Sequence, residues 1–335
     1  MKLTSLATIA ALALLATGAE AQTSVKFGLD WKFEGPSAPL FVALDKGYYK
    51  AEGLDVQIDS GKGSVDGINR VASGTYPIGS SDINSLIKFR DKNPDKAVTA
   101  VLMYYYAPPF AIATLTSSGI TSPKGLEGKI LGAPAADGAY AQWKSFVKAN
   151  GIDASKVQIQ NIGFPVREPM LAAGKVDAIT GFSFSMFLNL KAKGVAGDKI
   201  KVMLMSDYGL DLYGNALMVN PDFAKANPAV VKGFLKATIK GFQDTIANPD
   251  AAIKHVIEHN KIADEAVELE RLKMAVTQNI VTPWVRQNGL GDIDMARFAK
   301  SIDQIADTYE FTNRPKAEDV FSNAYLPPKA DRMVK

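Results

Sequence analysis

Short apolar stretches alternate with longer amphipathic segments along the chain from Val25 onward. Each apolar stretch is rich in aliphatic residues and ends near Gly, Pro or Asp, which predicts a β-strand. Strands are predicted at 25–29, 55–58, 77–80, 98–104, 111–115, 130–133, 157–162, 178–182 and 202–205. Helices are expected between them, and this alternation is typical of an α/β fold with a largely parallel sheet.

The pattern changes beyond Asn220, where helical periodicity replaces the alternation. Between the strands, helices are predicted at 140–150 and 165–173. Beyond Asn220 they are predicted at 228–247, 250–260, 264–280 and 292–309. Two apolar strands, 109–115 and 214–220, flank the second strand-rich unit, as if the chain crossed to that unit once and returned. This layout is typical of two lobes joined by a two-segment hinge. We predict one lobe from residues 22–107 and 215–335, with the C-terminal helices, and the other from 108–214.

The first residues have the features of a secretory signal peptide. Lys2 precedes an apolar segment, and Ala19-Glu20-Ala21 is a small-x-small cleavage site. An uncleaved anchor is the alternative, but the apolar segment is short for one. No later stretch is continuously apolar over the roughly 20 residues that a spanning helix needs. We therefore expect residues 1–21 to be removed and the protein to be exported to the periplasm.

The sequence contains no cysteine, which excludes thiol catalysis, cysteine-based zinc sites and thiol redox chemistry. Its net charge is only +3, and its lysines form no basic run, so nucleic acid is not an expected partner. No glycine-rich nucleotide loop is present, and no cofactor is expected.

Polar and aromatic residues follow nearly every predicted strand. In open parallel sheets the ligand crevice lies at the carboxyl ends of the strands, so these residues are candidates for a binding site. From these positions and the later strand junction we predict the ligand-binding residues Trp31, Ser37, Ser81, Asp82, Tyr105, Asp137, Tyr140, Phe164, Arg167, Glu168, Phe182, Ser183 and Tyr213.

Several of these candidates have a structural alternative. Trp31 either stacks a flat solute or fills a core, and its place between Asp30 and a Gly-Pro-Ser turn favours stacking. In the run Tyr104 to Tyr106, alternate residues must point in opposite directions, so at least one tyrosine is expected to be buried in a lobe. Asp82 begins a helical segment, where an N-cap role competes with ligand contact.

The charged candidates favour a particular kind of solute. Asp137 lies in a Gly-bearing turn that opens a helix, a geometry that can hold an anion, but its carboxylate would repel one. Arg167 and Glu168 are either a solvated pair or ligand groups that bind complementary polar atoms. An aromatic site of mixed charge suits a flat, polar solute that is nearly neutral or zwitterionic.

The segment from His255 to His259 matches the His-x-x-Glu-His pattern of one metalloprotease class. These are the only two histidines, and no third ligand is evident. The same segment is also an ordinary amphipathic helix with apolar residues facing inward. A secreted metallohydrolase that uses His255 and His259 is therefore the disfavoured alternative from another class.

Three stretches of the chain resemble a known family. Residues 28–58 ("GLDW" and "APLFVALDKGYYKAEGLDVQI"), 171–182 ("LAAGKVDAITGF") and 211–237 are similar to the solute-binding proteins of ABC importers of the NMT1/THI5-like, taurine and alkanesulfonate-binding group. The resemblance implies a type II periplasmic-binding fold, in which two α/β lobes close on a small molecule. It also implies delivery of that molecule to an inner-membrane permease.

Two departures from the family narrow the expected function. Where the thiamine-pyrimidine branch carries Asn and His, this chain has Glu34 and Ser37, and the Cys-rich motif of the fungal pyrimidine synthases is absent. We expect a monomeric, non-enzymatic binding protein for a pyrimidine-like, thiamine-precursor-like or other heterocyclic solute. Binding of a sulfonate, taurine or nitrate-type anion on the same scaffold is the alternative.

Overall fold

The structure is a computed structural model that describes residues 22–334, so the predicted signal peptide lies outside the described residues. Every predicted strand is present, with ends shifted by a few residues at most. The strands are β1 (Thr23–Gly28), β2 (Leu54–Asp59), β3 (Ile78–Asp82), β4 (Thr99–Met103), β5 (Phe110–Leu115), β6 (Ile130–Ala133), β7 (Gln158–Asn161), β8 (Ala178–Phe182), β9 (Ile200–Leu204) and β10 (Asn215–Val219).

The strands form two five-stranded sheets, in the orders β2-β1-β3-β10-β4 and β7-β6-β8-β5-β9. In the first sheet β10 runs antiparallel to both neighbours, and in the second sheet β5 does the same. The sequence suggested β5 and β10 as the strands at which the chain crosses between the units. Each of them is the antiparallel strand of its sheet. Their first residues lie beside the ends of parallel strands, since Asn215 pairs with Asp82 and Phe110 pairs with Phe182.

Two connecting segments, 104–109 and 205–214, join the sheets, and they touch each other. The Gly214 N–H donates to the Tyr105 carbonyl at 2.8 Å, and a Cβ on Gly214 would lie 2.8 Å from the Tyr105 Cβ. β1 to β4 and β10 lie in the first sheet, and β5 to β9 lie in the second. The lobe boundaries themselves stay a prediction, because the C-terminal helix 295–309 contacts helices 83–92 and 143–150, which belong to different predicted lobes.

The helices agree with the predicted positions and add three short ones, α8, α12 and α14. They are α1 (Ala38–Asp45), α2 (Tyr48–Ala51), α3 (Ser64–Ala72), α4 (Ile83–Lys92), α5 (Trp143–Asn150), α6 (Arg167–Ala172), α7 (Ser183–Ala192), α8 (Pro221–Ala226), α9 (Pro228–Ala247), α10 (Pro249–His259), α11 (Glu265–Ala275), α12 (Pro283–Asn288), α13 (Met295–Tyr309) and α14 (Ala317–Val320). No helix in residues 22–334 is long and apolar enough to cross a membrane.

Local sequence explains where the C-terminal helices begin. Side chains of Asn220, Asn248, Asp264 and Asp294 each accept a hydrogen bond from a backbone N–H in the first turn that follows. These N-caps satisfy donors that a helix leaves free at its start. The longest helix, α9, packs on the first sheet, where Phe234 stacks on Phe27 and Tyr49 with ring centroids 5.3 and 4.8 Å apart.

The close packing of α9 on α1 leads to a stability prediction. A Cβ on Gly241 would lie 2.0 Å from the Pro39 carbonyl oxygen, so the helices must separate to admit it. We expect Gly241→Ala to lower the free energy of unfolding by about 1–3 kcal/mol, because overpacking outweighs the gain in helix propensity. Gly233→Ala on the same helix is the matched control, since its Cβ would meet only Glu52, with the nearest atom at 3.1 Å. Urea unfolding of both variants tests this, and equal stability would contradict the close approach.

Candidate functional site

Aromatic side chains from the two sheets meet between them. Trp31 follows β1 and Phe164 follows β7, and their ring centroids lie 4.5 Å apart with an interplanar angle of 65°. The Trp31 indole N–H is buried and has no hydrogen-bond partner among residues 22–334. Trp31 therefore lies at the interface of the lobes rather than in the apolar core of either one.

Two small cavities adjoin this aromatic contact. Cavity 1 has a volume of about 30 Å³ and is lined by Asp30, Trp31, Gly63, Ser64, Asp137, Gly138, Phe164, Arg167, Phe182 and Ser185. Cavity 2 has a volume of about 50 Å³ and is lined by Leu29, Asp30, Trp31, Lys32, Glu34, Pro36, Ser37, Leu40, Tyr104, Tyr105, Phe182, Phe184, Ser185, Asn215, Leu217 and Phe242. The two share Asp30, Trp31, Phe182 and Ser185, so they are parts of one cleft.

Asp30 is a buried carboxylate at the junction of both cavities. It accepts hydrogen bonds from Asn215 Nδ2 at 2.6 Å, from Ser80 Oγ at 3.2 Å and from Ser64 Oγ at 3.5 Å. No Lys, Arg or His of the described chain lies within ion-pair distance of it. Burial therefore raises the pKa of Asp30 to about 6, against the opposing effect of these hydrogen bonds.

Asp137 binds the backbone N–H groups of the Gly-bearing turn that the sequence suggested as a possible anion site. Its carboxylate accepts hydrogen bonds from the backbone N–H groups of Ala139 and Tyr140 at 3.2 and 3.3 Å, and from Thr180 Oγ1 at 2.8 Å. Burial raises the pKa of Asp137, and the charge of Arg167 opposes the shift. The backbone donors that an oxyanion would need are thus already bound to the chain's own carboxylate.

Arg167 and Glu168 form a buried ion pair, so the alternative that they are a solvated surface pair is wrong. Arg167 Nη2 lies 2.6 Å from Glu168 Oε1, and the two side chains are 3% and 5% exposed. Only Arg167 lines cavity 1. Glu168 lies behind it and also accepts a hydrogen bond from Asn189 at 3.4 Å.

A second buried cluster supports the loop after Trp31. Arg271 on α11 contacts Glu268 at 2.9 Å and lies 3.5 Å from Glu34, which lines cavity 2. Glu268 also accepts the Gly35 N–H at 2.7 Å. Burial raises the pKa of Glu34, with the Arg271 charge as the main opposing influence. Arg271 Nη2 donates to Asn189 of the other lobe at 3.1 Å, which links the cluster to the pair behind cavity 1.

Two of the three consecutive tyrosines face the cleft. Tyr104 and Tyr105 both line cavity 2, whereas Tyr106 stacks on Trp284 at 5.3 Å and its hydroxyl accepts the Gly291 N–H. Tyr105 was the predicted cleft residue, and Tyr104 joins it because the strand ends at Met103 and the alternation stops there. The predicted Ser37 also lines cavity 2.

The candidates Ser81 and Asp82 are the last two residues of β3, and they line neither cavity. Asp82 is the N-cap of α4, with the N–H groups of Asn84 and Ser85 bound at 3.0 and 2.8 Å, so the capping alternative is confirmed. Gln142 of the other lobe also donates to it at 3.3 Å. Ser81 is buried against α3 and donates to the Ser64 carbonyl.

Three further candidates also lie outside both cavities. Tyr140 lines a separate groove of about 550 Å³ beside α4 and α5. Ser183 begins α7, where its hydroxyl is buried. The Tyr213 hydroxyl accepts the Asp294 N–H at 3.0 Å, and its ring packs on Phe298, because the return segment runs along α13 there.

Some cleft residues were not among the predicted ones. Ser64 follows β2, and the strand-end rule applied to that strand would have found it. Asn215 begins the reversed strand β10, and Phe242 and Ser185 lie within helices, so no strand-end signal marks them. Only the folded chain brings these three side chains to the cleft.

The two histidines have an ordinary structural role. His255 Nδ1 and His259 Nε2 lie 2.8 and 2.9 Å from the two carboxylate oxygens of Asp45, which joins α10 to α1. The His259 ring also stacks on Phe41 with a centroid distance of 4.3 Å. Within residues 22–334 no group of three or more His, Asp or Glu is arranged to hold a metal ion.

Two α/β lobes with a small polar and aromatic cleft between them form the periplasmic-binding-protein fold. The alkanesulfonate-binding protein SsuA from Xanthomonas axonopodis pv. citri has this fold, with a TM-score of 0.70 and 13% identity over 91% of this chain and 99% of that one. The description "NMT1/THI5 like" belongs to the family model that matches residues 35–252. The chain is a member of this NMT1/THI5-like family.

Several relatives are similar over most of their length. A formylaminopyrimidine-binding protein from Halalkalibacterium halodurans is 28% identical, over 91% of both chains. The riboflavin-binding protein RibY from Chloroflexus aurantiacus is 26% identical, over 87% of this chain and 82% of its own. A 4-amino-5-hydroxymethyl-2-methylpyrimidine phosphate synthase, THI13 from Saccharomyces cerevisiae, is 27% identical over 70% of each chain. The family thus includes both binding proteins and enzymes.

The raised pKa of Asp30 predicts a pH-dependent stability difference. Because the folded-state value of about 6 exceeds the ordinary 3.8, this carboxyl favours the folded state below pH 3.8, and that advantage is lost as the pH rises through 6. We expect Asp30→Asn to gain about 2 kcal/mol of unfolding free energy relative to wild type as the pH rises from 4 to 7.5. Urea unfolding at both pH values measures this difference. The matched control is Asp55→Asn, an exposed carboxylate on β2, and a difference for Asp30→Asn that does not change with pH would refute the prediction.

Proposed function

We propose that this protein is an exported, non-enzymatic solute-binding protein for a small, flat, polar heteroaromatic compound. It delivers that compound to an inner-membrane ABC importer. The observation that carries the proposal is the contact of Trp31 with Phe164 across the cleft, surrounded by carboxylates and a guanidinium. Rigid aromatic side chains with a few convergent polar groups are what a site for a flat polar molecule requires. The relatives named for a formylaminopyrimidine and for riboflavin support a heteroaromatic solute.

Capture requires the lobes to move. Cavity 1, at about 30 Å³, has room for roughly two water-sized groups, so a six-membered ring must part Trp31 from Phe164. The solute ring then contacts both Trp31 and Phe164, in place of the contact that these two side chains make with each other. Because these residues belong to different lobes, a bound solute favours the closed form, and a permease can distinguish that form from the open one. The predicted lobes, 22–107 with 215–335 and 108–214, are the bodies that move.

An anion such as a sulfonate, taurine or nitrate is the less favoured solute. The turn donors at Ala139 and Tyr140 bind Asp137, and Arg167 is paired with Glu168. Three carboxylates, Asp30, Glu34 and Asp137, line the cavities. The named anion-binding neighbour shares the fold at 13% identity, and a shared fold does not carry the ligand with it.

An enzymatic role has little support in the site. The related pyrimidine synthases are similar over 67% to 80% of the chain, but the sequence holds no cysteine for their Cys-rich motif. The Asp30 and Asp137 carboxylates are held by hydrogen bonds to serine, threonine, asparagine and backbone groups, as suits orientation of a solute. Export to the periplasm rests on the sequence features of residues 1–21 and on the periplasmic proteins that share the fold.

The first test is a thermal-shift screen of pyrimidines, thiamine precursors, flavins, aromatic acids and sulfonates. A ligand at about 100 times its dissociation constant adds roughly 2.7 kcal/mol to the unfolding free energy. We expect stabilisation by heteroaromatic compounds and none by sulfonates or nitrate. Stabilisation by sulfonates alone would favour the anion alternative, and no stabilising compound at all would contradict solute binding.

The role of Trp31 is tested with the strongest ligand from that screen. We expect Trp31→Ala to weaken its binding by about 1–3 kcal/mol, because the ring loses one stacking surface, while the fold is kept. Isothermal titration calorimetry measures the change. Phe187→Ala on α7, a partly buried aromatic outside both cavities, is the matched control with unchanged affinity. An unchanged affinity for Trp31→Ala would assign the tryptophan to packing instead.

A further inference from the structure

Cavity 2 is rich in aromatic rings. Six of them line it: Trp31, Tyr104, Tyr105, Phe182, Phe184 and Phe242. Neighbouring rings are in contact, with centroid distances of 4.6 Å for Tyr104–Tyr105, 5.8 Å for Tyr104–Phe242 and 6.0 Å for Phe182–Phe184. A cation that lies over the face of one of these rings is attracted to it, because the ring face carries the negative part of the aromatic quadrupole.

Cavity 2 offers hydrogen-bond acceptors as well as donors such as the Trp31 indole N–H and the Lys32 ammonium. Asp30 and Glu34 contribute carboxylates, and the side-chain oxygen of Asn215 is buried with no partner in the described chain. A buried acceptor without a donor is costly, and a ligand N–H would remove that cost. The cavity therefore suits a group that donates several hydrogen bonds.

Cavity 2 is lined by two carboxylates, those of Asp30 and Glu34, and by one ammonium, that of Lys32. Arg271 pairs with Glu268 and lies 3.5 Å from Glu34, so one guanidinium faces two carboxylates. The Asp30 carboxylate has only Ser80, Asn215 and Ser64 as side-chain partners, all of them neutral. A buried carboxylate without a counter-charge, such as that of Asp30, is unfavourable. Burial raises the pKa values of both Asp30 and Glu34, and at Glu34 the Arg271 charge opposes the shift.

We infer that cavity 2 binds a positively charged amino group, such as an ammonium or amidinium, carried at one end of an aromatic solute. The inference rests on the proposed function and defines its solute class as cationic heteroaromatic amines. The positive charge of this group compensates the carboxylates of Asp30 and Glu34. The group also donates a hydrogen bond to the side-chain oxygen of Asn215 and lies among the aromatic rings. At about 50 Å³, the cavity has room for roughly three to four water-sized groups. That is the size of an aminomethyl group, while the ring occupies the space between Trp31 and Phe164.

Lys32 gives an independent test of the charge preference. It is exposed, it lines cavity 2, and its ammonium lies 5.4 Å from the centroid of the Trp31 ring. A second ammonium entering the cavity is repelled by this charge and competes with it for the indole. Removing the Lys32 charge should therefore strengthen binding of a cation, and because Lys32 is exposed the variant is expected to fold.

The experiment compares three pyrimidines that differ in one substituent. Pyrimidin-5-ylmethanamine is cationic at neutral pH, pyrimidin-5-ylmethanol is its neutral counterpart of similar shape, and pyrimidine-5-carboxylate is anionic. Calorimetric titration of each into the full-length mature protein measures the dissociation constants. We expect the amine to bind at least about tenfold more tightly than the alcohol, and the carboxylate to bind more weakly than both.

Two variants identify the residues responsible. Glu34→Gln should reduce the preference for amine over alcohol by about fivefold or more, and Lys32→Gln should raise the affinity for the amine by about twofold to fivefold. Neither substitution should change the affinity for the alcohol as strongly as it changes the affinity for the amine. Thermal unfolding of each variant verifies that it is folded.

The outcomes separate this inference from the proposed function. Equal binding of amine and alcohol, or a preference that both variants leave unchanged, would overturn the cation site and leave solute binding intact. The same holds if the amine fails to bind while a neutral compound from the broader screen does. Only the absence of any binding compound in that screen would overturn the proposed function itself.

Discussion

The cleft depends on the buried carboxylate of Asp30. This side chain joins the end of β1 to Ser80 on β3, to Ser64 at the start of α3 and to Asn215 at the start of β10. Because a buried carboxylate needs hydrogen bonds to remain in the interior, these four segments must meet at one point. Asn215 is reached only after the chain has passed through the second lobe and returned, so Asp30 is fully bonded only when both hinge segments are in place.

The charged groups around this point explain the chemical character of the site. Each buried guanidinium has its own carboxylate, with Arg167 bound to Glu168 and Arg271 bound to Glu268. Backbone donors of the turn after β6 are bound by Asp137. Three carboxylates, those of Asp30, Glu34 and Asp137, outnumber the two cations that line the cavities, Lys32 and Arg167. A shared fold therefore coexists with a different ligand chemistry, since the ligand is selected by side chains and not by topology.

The two polar clusters behind the cavities are connected across the lobes. Arg271 of the helical tail donates to Asn189 on α7, and Asn189 donates to Glu168. Glu34 at cavity 2 and Arg167 at cavity 1 are thereby held by one network that spans both lobes. Lys191 and Glu270, which respectively follow Asn189 by two residues and precede Arg271 by one, also pair across the lobes at 3.0 Å on the surface. The helical tail thus helps position ligand-facing groups, a role that its amphipathic pattern alone does not indicate.

The sequence by itself determined the strands, the long helices and much of the cleft wall. Aliphatic runs and their terminating residues are local signals, and the strand-end rule placed Trp31, Asp137, Phe164, Arg167 and Phe182 at the cavities. Only the tertiary structure decided which neighbours these residues have. It buried the Arg167–Glu168 pair, turned Asp82 into a cap, moved Tyr213 to the α13 side, and brought Asn215 and Phe242 to the site from distant elements. The physical reason is that burial, charge balance and hydrogen-bond pairing depend on contacts between residues far apart in the chain. A local sequence pattern contains no information about such contacts.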